Sequence, residues 1–216
     1  MILIGMFDSP FVRRVAVSMD VLDLPFEHCN WSTGRDAEKI RAYNPLGRVP
    51  ALVLDGDEVL FESSAVLDYL DQTVGPARAL LPASGLARRQ ALQLIALATG
   101  AADKAVSIVY ERIYRPEDKR HAPWLERCAV QIDSALTALE AHCLQREGQD
   151  WLVGDRMTQA DITLACCCTF TADAVPFDLA PYPTLAARVA RYEALPLFQQ
   201  FHVAFDAPAP RAATSH

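Results

Sequence analysis

Long apolar runs are missing from this chain. No stretch approaches the length of about 18 consecutive apolar residues that a membrane span needs, so no membrane span is expected. The N-terminus shows neither a basic n-region nor a small-residue cleavage site. No secretory signal is therefore expected, and the cytoplasm is the expected compartment. Positive charge is in deficit: Lys and Arg number 20 against 27 Asp and Glu, for a formal charge of −7. That balance argues against a nucleic-acid or anionic-membrane surface. None of the six cysteines (29, 128, 143 and the run 166 to 168) stands in a C-x-x-C pair, so zinc and dithiol redox spacings are absent. On a helix the contiguous triplet splays round the axis and cannot bring three sulfurs to one ion; no metal is expected. Cys128 and Cys143 read as buried reduced thiols, which pack as small hydrophobes. No internal repeat occurs, and the short tail "APAPRAATSH" reads as a frayed end.

What is present has two grammars. The 216 residues, 51% of them hydrophobic, suffice for one large domain or two small ones. "MILIGM" is a short apolar run typical of a buried strand. From Pro10 to Leu22, the positions Val12, Val15, Ala16, Met19 and Leu22 share one helical face. "PFEHCN" reads as a second strand, and Arg35 to Tyr43 as a short helix stopped by Asn44-Pro45. "PALVLDGDEVLFE" holds two apolar runs around Asp55-Gly56-Asp57, a hairpin signal. Ser63 then caps a helix carrying Val66, Leu67 and Leu70, which gives the order β-α-β-α-β-β-α.

Past the Pro/Gly-bearing "GPARALLPASG" the pattern becomes wholly helical. A stripe of Ala91, Leu94, Ile95, Ala98, Ala102, Ala105, Val106, Val109 and Ile113 runs along one helix. Leu92, Leu97 and Ile108 fall off it, so more than one side should be buried. A second stripe joins Leu125, Cys128, Ala129, Ile132, Ala135, Leu136, Leu139 and Cys143. In "MTQADITLACC", Thr158 as cap and Asp161 three residues on form a capping box, which stabilises a helix end and does no chemistry. The expected division is an α/β domain over 1–77, a linker over 78–85 and an all-helical domain over 86–216.

"SPFVRR", "NPLGRVPALVLDG" and "LFESSAVLDYL" in the first half and "GDRMTQADITLA" in the second, in this order and spacing, resemble the glutathione S-transferase family over essentially the whole chain. The resemblance implies a thioredoxin-like N-terminal domain, an all-helical C-terminal domain, glutathione as cosubstrate, and a homodimer. "SPFV" occupies the place where glutaredoxin-like members carry C-P-x-C; with Ser9 and Val12 at the cysteine positions, disulfide chemistry through the protein is not expected. A serine there resembles the serine-type transferases.

An ordinary thiol near pKa 8.5 gives little thiolate at neutral pH. Ser9, ahead of a helix with Pro10 at its first position, would donate a hydrogen bond to the glutathione sulfur and hold it as thiolate. The plain alternative is an N-cap serine; no G-x-S-x-G elbow makes it a hydrolase nucleophile. Asp8 would raise the thiol pKa unless it turns away or pairs with Arg13 or Arg14. Val49-Pro50 resembles the family's cis-proline site, where the Val49 backbone would pair with the cysteinyl part of glutathione. The other reading is a trans turn before a strand. Glu62 would take the α-ammonium of the γ-glutamyl group, and Ser63 its α-carboxylate, against the alternative of a capping serine beside a solvated acid. Arg48 matches a basic position of related transferases and could reach a peptide carboxylate; Arg35 and Lys39 are looser candidates. The electrophile pocket should form from Phe7, Phe11, Tyr110 and Tyr114, with core packing as the alternative for the two tyrosines. The reading is a cytosolic glutathione transferase adding the thiolate to a small hydrophobic electrophile. Its rivals are a glutathione-dependent isomerase or dehalogenase, and a binding module without turnover.

Overall fold

The computed structural model describes residues 1–175 and 177–206. The tail read as a frayed end, 207–216, lies outside the described residues. The first half runs β1 (Ile2–Ile4), α1 (Pro10–Val21), β2 (Glu27–Cys29), α2 (Ala37–Arg41), β3 (Ala51–Val53), β4 (Val59–Phe61) and α3 (Ser63–Val74), in the expected order. The strands form one mixed sheet ordered β2-β1-β3-β4, with β1 parallel to β2 and antiparallel to β3. Three-residue strands cannot stand alone, and alternation lets both faces be covered. Leu3 and Leu52 turn towards α1 and α3, while Ile4, Ala51 and Val53 turn towards Ile40 of α2. The β3–β4 hairpin closes through Leu54 and Glu58 (2.8 Å), with positive φ at Gly56 and Asp57.

The second half is α4 (Gly85–Tyr114), α5 (Ala122–Gln145), α6 (Gln159–Ala174), α7 (Pro183–Glu193) and α8 (Pro196–Gln199). The α4 helix is long and apolar enough to cross a membrane by length and composition alone, yet it packs along α5 and α6. Ile108 is buried as its off-stripe position suggested, but Leu92 is exposed. The α6 helix lies between α1 and α4. Every residue from Gln159 to Cys168 on it is buried, and a helix enclosed on all sides needs apolar groups all round. Small side chains allow close approach there, which accounts for Cys166, Cys167 and Cys168 standing together.

Two polar devices fix the connections. The connector after α3 is gripped by the Asp71 carboxylate, which accepts from the N–H groups of Leu80 (2.7 Å) and Leu81 (2.9 Å). Arg156 donates to the carbonyls of Ala77 and Ala79 from the other side. At the start of α6 the capping box is formed as the sequence indicates. The fully buried Asp161 accepts from the N–H groups of Leu152 and Thr158 (2.8 Å each) and from the hydroxyls of Thr158 (2.8 Å) and Tyr192 (2.7 Å).

Replacing Asp161 by Ala strands three buried donors, while the Tyr192 hydroxyl keeps the Asp150 carbonyl at 3.0 Å, so chemical denaturation should register a loss of about 3 kcal/mol or more, against about 1 kcal/mol for Thr158→Ala. Burial pushes the Cys167 and Cys168 thiols up to about 12 and raises those of Cys128, Cys143 and Cys166. With a thiol reagent at pH 8, mass spectrometry should find Cys29, which is partly exposed, modified first. The other five should react only on unfolding; rapid loss of a second thiol in the native protein would contradict this packing.

Candidate active site

The site begins at the carboxyl end of β1, where three segments converge too closely for any side chain. Gly5 has φ +133, and a Cβ on it would lie 2.5 Å from a Val12 methyl and 2.8 Å from the Val49 Cβ. Glycine is therefore required on both conformational and steric grounds. That approach holds the Met6–Ser9 loop, the first turn of α1 and the Val49 segment together. Ser9 is extended (φ −75, ψ 122) and precedes Pro10 at the first helical turn. Its hydroxyl makes no capping bond to the helix it precedes. The plain capping role is thus not realised, and Ser9 lines a cleft.

The Val49-Pro50 bond is cis, as the resemblance implied. Among the described residues, neither the N–H nor the C=O of Val49 has a backbone partner. The segment before it is shaped by the buried Asn44, whose amide donates to the Arg48 carbonyl (2.8 Å) while its oxygen accepts from Leu46 N–H (3.0 Å). Arg48 points to Asp103 of α4, Nη2 to Oδ1 3.9 Å.

Glu62, not Ser63, occupies the N-cap of α3, at φ +71. Such a conformation is unusual for a residue with a side chain and is found where function constrains the backbone. Ser63 is fully buried. Its hydroxyl accepts from Arg14 Nη2 (2.8 Å) and Nε (3.2 Å) and lies 3.4 Å from Glu62 Oε1. The side chain expected to meet a ligand carboxylate is thus taken up internally, while the first-turn N–H groups of α3 remain unpaired in backbone bonding among the described residues. Arg14, itself buried, also donates to Thr163 of α6 (3.3 Å). Burial lowers its pKa, with Glu62 and Asp103 among the opposing charges that favour the cation. Burial also raises the Asp103 carboxyl; Arg48 acts against that shift and Glu62 with it. Arg48, Asp103, Glu62 and Arg14 therefore form one charge cluster at the junction of the two halves.

A cleft of about 130 Å³ opens beside Ser9. Its lining includes Ser9, Phe11, Arg48, Val49, Tyr110 and Tyr114, which brings together six of the residues singled out from sequence. Val106, Val109 and Ile113 of α4 supply its apolar wall. Tyr110 and Tyr114 stack edge to face at 5.3 Å and are about half exposed, so they are not core residues. Phe7 is not in this lining. It stacks on the His28 ring at 3.8 Å and lines an adjoining cavity of about 690 Å³ with Arg35 and Arg41. Lys39 is bound to Asp36 (2.9 Å) and lies over Trp31. Glu62 and Ser63 border neither space; they reach the cleft region through the Arg14–Asp103–Arg48 charges. Asp8 pairs with neither arginine offered to it: Arg13 holds Glu193 (2.8 and 2.5 Å) and Arg14 holds Ser63. Among the described residues no cluster of His, Cys, Asp or Glu is set to hold a metal ion.

Sequence reasoning missed Asp103, Ser32, Thr33, Gly34 and Asp206, and gave Arg14 no part in binding. "STG" follows β2, and crevices outside the carboxyl ends of parallel strands are where ligands sit in α/β sheets; that signal was available. Asp103 and Asp206 are remote in sequence and carried none.

The chain was compared with known proteins. The family model for the N-terminal domain of glutathione S-transferases matches residues 3–78, and the model for the C-terminal domain matches residues 122–195. Glutathione S-transferase 3 of Zea mays is 32% identical over 221 residues, spanning 99% of this chain and 98% of the relative. Maleylacetoacetate isomerase of Rattus norvegicus is 28% identical over 208 residues, spanning 93% and 91%. A glutathione S-transferase from Methylobacterium radiotolerans, solved in complex with glutathione sulfonate, is similar with a TM-score of 0.84 and 30% identity, covering 100% of this chain and 98% of that one.

Proposed function

The chain belongs to the glutathione S-transferase family, and from that premise we propose that it binds glutathione on its N-terminal half and conjugates the thiolate to a small apolar electrophile. The observation that carries the reading is Ser9: its hydroxyl makes no bond to its own helix and the residue lines the cleft. Lowering a thiol pKa by two units requires about 2.7 kcal/mol of preferential thiolate stabilisation. A charge-assisted hydrogen bond supplies about 1.5–3 kcal/mol, and a helix N-terminus about 0.3–1 kcal/mol more. Ser9 and the start of α1 together match the requirement. Ser9 acts as donor to the sulfur, not as nucleophile. The thiolate then attacks an electrophilic carbon, and either a leaving group departs with the bonding pair or a proton from water completes the addition.

The rest of the tripeptide fits the unpaired backbone groups of Val49 and of the first turn of α3, and the charges beside them. The Val49 N–H and C=O pair with the cysteinyl backbone as an added strand would. Glu62, with Asp103 beside it, receives the α-ammonium. The first-turn N–H groups of α3 take the α-carboxylate, and Ser63 serves this subsite from within, held by Arg14. Arg48 reaches the peptide's other carboxylate. Phe11, Tyr110 and Tyr114 border the electrophile, while Phe7 supports the loop through His28. Pairing into a homodimer is part of this reading, and sedimentation equilibrium checks it.

The second reading is isomerisation of a maleyl-type substrate by the same thiolate, favoured by the likeness to the rat isomerase. It requires consumption of substrate with no loss of glutathione.

In Ser9→Ala the apparent thiol pKa of bound glutathione, followed by thiolate absorbance against pH, should rise by about one to two units. Because the deprotonated sulfur is the reactive form, kcat/KM at pH 6.5 should fall at least about tenfold, with the deficit shrinking as pH climbs past that pKa. A pKa near the solution value in both proteins would remove Ser9 from the mechanism. Unchanged glutathione binding with no turnover in the native protein would indicate a binding module.

A further inference from the structure

The cleft beside Ser9 has an apolar and aromatic wall from α4 and a polar edge at Ser9, Ser32 and Thr33, and among the described residues its charged lining is Asp8, Arg48 and Asp206. Arg48 is engaged by Asp103. The arginines next to Asp8 in sequence are committed elsewhere, Arg13 to Glu193 and the Phe198 carbonyl, Arg14 to Ser63 and Thr163. Arg35 and Arg41 border the wider adjoining cavity but not the cleft, and Arg41 is paired with Glu38. Among the described residues, Asp8 Oδ1 is buried with no hydrogen-bond partner. An ionised carboxylate is purely an acceptor, and leaving one oxygen buried and unpaired is unfavourable until a donor arrives. Burial raises the Asp8 pKa; the backbone N–H groups of Asp8, Asp206 and Ser9 act against that shift and the charge of Asp206 acts with it, and no cation is among these influences.

We propose that Asp8 is a specificity-determining residue: its unpaired oxygen, with Asp206 beside it, selects electrophiles that bring a cation or a hydrogen-bond donor into the cleft and rejects anionic ones. The proposal rests on the transferase reading above and deepens it by naming the substrate class. An anionic electrophile would add its charge to those of the two carboxylates and the thiolate. A maleyl-type substrate, with its carboxylates, is disfavoured for the same reason.

The test uses glutathione and three S-benzylglutathione conjugates that differ only in the para substituent: trimethylammonium, its neutral isostere tert-butyl, and carboxylate. Their affinities for the native chain, Asp8→Asn and Asp206→Asn are measured by calorimetry at pH 7. Two charges a few ångströms apart in a partly desolvated cleft change affinity by about tenfold. The native chain should therefore bind the cationic conjugate about tenfold more tightly than the neutral one, and the anionic conjugate about tenfold more weakly. Asp8→Asn should narrow the cation-to-anion span to about tenfold or less while leaving the affinity for the tert-butyl conjugate unchanged. Equal binding of the three conjugates by the native chain, or an unnarrowed span in Asp8→Asn, overturns the proposal and leaves the transferase reading intact. Failure of glutathione itself to bind overturns the reading and the proposal together. Should Asp8→Asn not fold, the exposed Asp206 decides: a span narrowed at least threefold in Asp206→Asn supports the proposal, and an unchanged one overturns it.

Discussion

Two guanidinium groups, those of Arg13 and Arg14, are buried on α1 where the two halves of the chain meet. A buried cation is costly unless its donors are met; among the described residues Arg13 Nε has no partner, and the remaining bonds of the two groups run in opposite directions. Arg13 reaches the C-terminal helices through Glu193 and the carbonyl of Phe198. Arg14 ties the start of α3 to Thr163 of α6. Ser18 on the same helix adds a bond to Gln159 at 3.0 Å. The helix that carries Ser9 at its mouth is therefore clamped to both halves by polar bonds as well as by its apolar face, and the position of the Ser9 hydroxyl follows from that clamp.

Around this fixed helix lie groups that the chain does not satisfy by itself. Val49 offers an unpaired N–H and C=O, α3 its first-turn N–H groups, and Ser9 a hydroxyl unused in capping. The strained backbone at Glu62 turns an acid outward at the same junction. Against this stands Asp8, a carboxylate placed where a thiolate would form. In the proposed function Ser9 and the α1 N-terminus would favour negative charge on a sulfur and Asp8 would oppose a second anion, so that both preferences would arise from adjacent residues.

Much of the architecture was legible in local pattern. The apolar face from Val12 to Leu22, the Asp55–Asp57 turn and the Thr158–Asp161 box each correspond to an observed element, because each is a short-range effect of propensity or capping. Errors came where a residue's neighbours lie far away in sequence. Ser63 reads as a cap, yet Glu62 caps and Ser63 is buried beneath Arg14. Phe7 reads as a wall of the electrophile pocket; it stacks on His28 and lines the adjoining cavity, not the cleft beside Ser9. Leu92 reads as a second buried side, yet it faces out.

The sequence by itself determined the order of elements, the family, and the residue types at the mouth of α1 and the start of α3, since these depend on periodicity and on motifs a few residues long. Tertiary structure alone decided which of those side chains are free. A hydroxyl or a carboxylate is available to a ligand only when no partner from another element claims it. The partners here lie up to 185 positions away, as between Arg13 and the Phe198 carbonyl. That is why Arg14 could turn out to hold Ser63, and why Asp8 could be left with neither arginine.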